Sequence, residues 1–97
     1  MLRQLFAIIE SRKASMPESS YTASLLTAGE GEILKKIEEE TMEVVLAAKN
    51  EGGQRLVEEI ADLFYHTLVL LAARSLSLAD VEAELRRRHR GGNEDNR

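Results

Sequence analysis

Five acids in two short clusters are the residues of this sequence best equipped for chemistry. Glu39, Glu40 and Glu43 form Glu-Glu-x-x-Glu, and after fifteen further residues Glu59 and Asp62 form Glu-x-x-Asp. Residues three or four apart share one face of a helix. Each cluster therefore makes an acidic stripe; Lys36 begins the first and the small Ala47 continues it, and His66 extends the second. Glu40 and Glu43 stand one turn apart, close enough to bind one ion together. Carboxylates held close repel, and one of them takes up a proton unless a cation intervenes. With oxygen donors and no cysteine in the chain, the ion such a set favours is Mg2+ or Mn2+. An acidic cluster carrying that ion suits a polyphosphate: the metal neutralises phosphate charge, orients the chain and acidifies a bound water. A carboxylate outside the metal shell then takes the proton as general base. Glutamate runs on helices are more often plain solvated faces. Here a second cluster follows at matching phase, and its Asp62 falls inside an apolar run.

The two stripes meet only if two long helices pack antiparallel. Apolar Ile33, Leu34, Ile37, Thr41, Val44, Val45 and Ala48 define a helix from Glu32 to near Asn50, with Gly52-Gly53 as its stop. A second long helix is expected from about Gln54 to Ser75, and a short connection between them requires an antiparallel pair. Upstream, Leu2, Leu5, Phe6 and Ile9 mark a helix over residues 2–13. A loop around Pro17 follows, then a short apolar helix, Tyr21–Thr27, closed by Gly29 and Gly31. Ser77 with Asp80 opens a last helix carrying Leu78, Val81 and Leu85. No stretch alternates with period two. The expectation is one all-α domain over residues 1–90, an antiparallel bundle of four to five helices, followed by a disordered tail at 91–97. The segment Leu63–Ala73 is apolar nearly all round, which predicts that a homodimer completes the bundle.

Composition narrows the function classes. Ninety-seven residues make one small domain. The absence of cysteine excludes a disulfide scaffold, a thiolate zinc site and cysteine catalysis. A net charge of −4 argues against general nucleic-acid affinity, and 4% aromatics with no tryptophan argues against a base-stacking platform. The amino-terminal apolar run is too short for a signal peptide and Leu63–Ala73 too short to span a membrane, so a soluble cytoplasmic chain is expected.

Beyond these readings, the chain resembles a known family. Glu-Glu-x-x-Glu followed by Glu-x-x-Asp is similar to the signature of the all-α nucleoside triphosphate pyrophosphohydrolases (MazG-like). Within that superfamily SYTASLLTAGEGEILKKIEEETMEVVLAAK, LVEEIADLFYHTLVLLA and DVEAELRRRH resemble the phosphoribosyl-ATP pyrophosphohydrolases of histidine biosynthesis. The resemblance covers roughly residues 2–90. It implies Mg2+-dependent cleavage of the α–β phosphate bond of phosphoribosyl-ATP, giving phosphoribosyl-AMP and pyrophosphate. It also implies metal ligation by these acids: Glu40, Glu43 and Asp62 are expected to bind the metal, with Glu39 or Glu59 as catalytic base. Lys36, Lys49 and Tyr21 are the candidate substrate-binding residues, and His66 is expected to be a hydrogen-bonded structural histidine. Glu38 stands where the family commonly has glycine; on the helical wheel it lies away from the acidic stripe. Two other readings compete: house-cleaning hydrolysis of a different nucleoside triphosphate, and a non-catalytic dimerisation module. A di-iron bundle is disfavoured because no acid has a histidine three residues later.

Overall fold

Links of one to five residues join the helices of the computed structural model, which describes residues 1–90. In order they are α1 (Leu2–Ser15), α2 (Tyr21–Ala28), α3 (Glu30–Asn50), α4 (Gly52–Ala73) and α5 (Leu78–Arg90). The described residues contain no strand, so the all-α expectation holds. The tail expected at 91–97 lies outside the described residues. No helix among them is long and apolar enough to cross a membrane.

Local chemistry sets the boundaries. Ser20 caps α2, its hydroxyl accepting the Ala23 N–H at 3.1 Å. Gly29, at φ 103°, turns the chain directly from α2 into α3. Gly31, expected to help close α2, instead lies in the first turn of α3. The expected stop at Gly52-Gly53 is also corrected. Gly52 takes φ 83°, a conformation costly for other residues, so the chain reverses at Glu51 alone and both glycines belong to α4. Ser77 and Asp80 form the expected reciprocal cap: the Ser77 N–H donates to the Asp80 carboxylate at 2.9 Å, and the Asp80 N–H to the Ser77 hydroxyl at 3.2 Å.

Helices α3 and α4 fold back on each other as the most extensively packed pair. The core joins Phe6 and Ile9 of α1, Leu25 of α2, Ile33 of α3, and Leu68, Val69 and Ala72 of α4. The packed face of α3 differs from the expected one. Ile33, Ile37, Glu40, Val44 and Ala47, spaced by four and three, face inward, whereas Leu34, Thr41, Val45 and Ala48 are exposed. Glu40 of the acidic stripe therefore enters the seam between the helices. The apolar segment of α4 is buried at Leu68, Val69 and Ala72, but Phe64 remains half exposed in the single chain.

Candidate active site

The seam brings Glu40 of α3 against Glu59 and Asp62 of α4, one carboxylate oxygen from each lying within 4.8 Å of the others. Glu39, Glu43 and Arg55 complete the lining of the same open concavity, about 370 Å³ in volume. All five predicted acids thus meet, though grouped differently from expectation. Glu59, expected as a candidate base, belongs to the closest trio, and Glu43, expected as a ligand, lies beside it. The reason is register. The stripe Arg55, Glu59, Asp62 and His66 advances by four, three and four residues, and this places Glu59 inside the helix pair.

Glu59 is the buried member, 3% exposed, whereas Asp62 opens to solvent. Burial pushes the Glu59 carboxyl above the ordinary carboxylate range; Arg55 pulls it down, while Glu40 and Asp62 add to the rise. Arg55 holds Glu59 through Nη2 at 2.5 Å. It also reaches Glu58 at 3.1 Å and Glu51 at 3.4 Å. Arg55 lies outside the acidic motifs, although its place four residues before Glu59 on the same stripe is legible in the sequence.

The candidate substrate residues divide. Lys36 stands 3.4 Å from Glu39, whose charge holds the ammonium above its usual range. Tyr21 is half exposed, with its hydroxyl 3.0 Å from His66 Nε2. Desolvation raises the Tyr21 phenol, with Lys36 opposing and Tyr65 and Glu40 reinforcing, so the ring feels both the lysine and the acidic site. His66 is buried, and its Nδ1 donates to the Asp62 carbonyl at 2.8 Å, as expected of a structural histidine. The next residues repeat the pattern, since the Thr22 and Tyr65 hydroxyls hydrogen-bond across the same α2–α4 contact. Lys49 lies exposed in the last turn of α3 and does not line the acidic concavity. It sits six residues beyond Glu43, and the trio lies toward the middle of the helix. Glu38 is exposed, away from the acids.

Comparison with known sequences decides the family. The profile of the phosphoribosyl-ATP pyrophosphohydrolases matches residues 2–89. The chain belongs to this family. A phosphoribosyl-ATP pyrophosphatase of Haloarcula marismortui is 49% identical over 90 residues, covering 91% of this chain and 92% of that protein. One of Metallosphaera sedula is 52% identical over 88 residues, covering 91% and 95%. A histidine biosynthesis bifunctional protein, HisIE, of Gloeobacter violaceus is 53% identical over 89 residues; there the match spans 92% of this chain but 40% of the longer protein.

The donor set of this phosphoribosyl-ATP pyrophosphohydrolase family member fits a hard divalent cation. Its donors are all carboxylate oxygens, and one belongs to a buried side chain that needs a positive partner. Oxygens about 2.1 Å from Mg2+ lie at most about 4.2 Å apart, so a small inward rotation would bring the trio onto one ion.

Proposed function

We propose that this chain is a Mg2+-dependent hydrolase of the α–β phosphate bond of phosphoribosyl-ATP, yielding phosphoribosyl-AMP and pyrophosphate in the cytoplasm. The observation carrying the proposal is the convergence of Glu40, Glu59 and Asp62 in the α3–α4 seam of a chain that belongs to this family. Bound there, Mg2+ or Mn2+ would neutralise phosphate charge and acidify a coordinated water. Glu40, Glu59 and Asp62 would hold the ion, with Glu43 available as a further ligand. Glu59 is less suited to be the base than the sequence suggests, because it is buried between the helices, away from water. Glu39 lines the concavity at half exposure and in this reading would take the proton of an attacking water. Lys36, beside Glu39, would meet the phosphate oxygens, so substrate charge and general base would share one wall. In the balanced reaction, water supplies oxygen to one phosphorus as the α–β bridging bond breaks, and pyrophosphate leaves.

The active form in this reading is a homodimer. Val45, Leu46, Val57 and Phe64 are exposed on the α3–α4 hairpin. Phe64 also lines an apolar groove of about 550 Å³ with Leu2, Leu71, Val81 and Leu85. Monomeric proteins rarely leave large apolar patches in water. The decisive experiment is a Mg2+-dependent assay on phosphoribosyl-ATP scored by phosphate product. Pyrophosphate release is expected; orthophosphate release, or turnover of ordinary nucleoside triphosphates without phosphoribosyl-ATP, would overturn the assignment.

A further inference from the structure

We propose that Arg55 is the resident counter-ion of the carboxylate site, which the divalent cation displaces and which then binds phosphate oxygens of the substrate. The inference rests on the metal-site reading above and adds a residue to it. Glu59 is almost fully buried, so its carboxylate needs a positive partner whether or not a metal is bound. Arg55 is that partner: Nη2 lies 2.5 Å from Glu59, Nη1 3.1 Å from Glu58 and Nε 3.4 Å from Glu51. The guanidinium thus spans from the rim of the concavity to the acid at its base, while its side chain remains about half exposed.

A divalent ion shared by Glu40, Glu59 and Asp62 would stand beside this guanidinium. Two cations on one carboxylate repel, so loading the ion weakens the Arg55–Glu59 pair. The released group stays tethered to the first turns of α4 and faces the same concavity. A planar fork of N–H donors suits the paired oxygens of an oligophosphate better than it suits water. Free metal is therefore held weakly, and metal arriving with a nucleotide is held well, because the phosphates replace Glu59 as the acceptor for Arg55.

The test separates this proposal from its foundation. Mn2+ alone is titrated into the full-length wild type, Glu59→Gln, Arg55→Gln and Arg55→Lys proteins and followed by electron paramagnetic resonance; circular dichroism checks that each is folded. Arg55→Gln should bind Mn2+ about tenfold more tightly than wild type, as expected when a neighbouring positive charge is removed. Its KM for the metal–nucleotide substrate should nevertheless rise several-fold. Arg55→Lys keeps the charge and should keep the weaker Mn2+ binding, a result that simple loss of packing would not produce. Equal Mn2+ uptake by wild type and Glu59→Gln would overturn the metal-site reading and this proposal together. Uptake lost in Glu59→Gln but equal or weaker in Arg55→Gln than in wild type would overturn the counter-ion role alone. Tighter Mn2+ binding with an unchanged KM would overturn the transfer to phosphate.

Discussion

The Tyr21 hydroxyl and His66 Nε2 lie 3.0 Å apart, joining the start of α2 to α4 one turn beyond Asp62. Because a carbonyl only accepts, His66 Nδ1 carries the proton it gives to the Asp62 oxygen at 2.8 Å. With Nδ1 carrying that proton, the Nδ1–H tautomer pairs Nε2 as acceptor with the Tyr21 hydroxyl as donor. The Thr22–Tyr65 hydrogen bond locks the neighbouring position. Two consecutive residues of α2 thus grip two consecutive residues of α4 beside the acidic site.

Tyr21→Phe leaves a buried nitrogen without a partner, and the expected loss of stability is about 1–3 kcal/mol. Urea denaturation of the single and double variants of Tyr21→Phe and His66→Gln should give a coupling of about 1 kcal/mol. Additive effects would show that the bond contributes nothing in solution. The same variants should lower kcat/KM, since the turn presenting Asp62 loses its brace.

Helix spacing carried most of the architecture, because steps of three and four residues determine which side chains share a face. The same rule places Glu59, Asp62 and His66 on one stripe. It did not choose the face of α3 that packs inward. Leu34 and Val45 are as apolar as Ile33 and Val44, yet they are exposed, and only the neighbouring helices discriminate between the two sides. Nor did it show that Glu59 is the buried acid, which depends on α3 lying against α4. Gly52, which a local pattern marks as a helix end, is a helix beginning, since φ 83° compresses the link to one residue. The Tyr21–His66 pair spans 45 residues, and no local pattern announces such a contact.

Metal binding should appear as stabilisation. An ion that binds only the folded site adds about 2.7 kcal/mol at one hundred times its Kd, or roughly 10–20 °C in Tm for a chain of this size. Differential scanning fluorimetry should show this rise with Mg2+ or Mn2+ in wild type. Glu59→Gln and Asp62→Asn should lose most of it while keeping their helical spectra. An undiminished rise in both would place the ion elsewhere.

The exposed ring of Phe64 gives the proposed homodimer its sharpest test. At 49% exposure in the single chain, it can be replaced by a charged residue with little damage to the fold of the protomer. If two copies cover that surface, wild type should sediment well above 10.9 kDa, and Phe64→Glu should shift the distribution toward that mass with helicity retained. Wild type sedimenting as a monomer at working concentrations would remove the dimer.

Acid titration should separate two glutamates of opposite sign. Arg87 and Arg88 hydrogen-bond the Glu84 carboxylate and lower it to about 2, against an ordinary value of 4.5. A depressed folded value means that this contribution to stability is present above 4.5 and lost as pH falls toward 2. Glu84→Gln should therefore be slightly less stable than wild type at neutral pH and show a shallower decline in acid; solvent screening keeps both effects small. Glu59 runs the other way. Burial raises it, so in the metal-free protein its charging opposes folding as pH climbs from 4.5 through its elevated value. Metal-free Glu59→Gln should lack that loss, and Mg2+ should relieve it in wild type. Thermal melts from pH 2 to pH 8 with and without Mg2+ measure both slopes, and a Glu59→Gln profile parallel to wild type above pH 4.5 would contradict the buried, charge-strained acid.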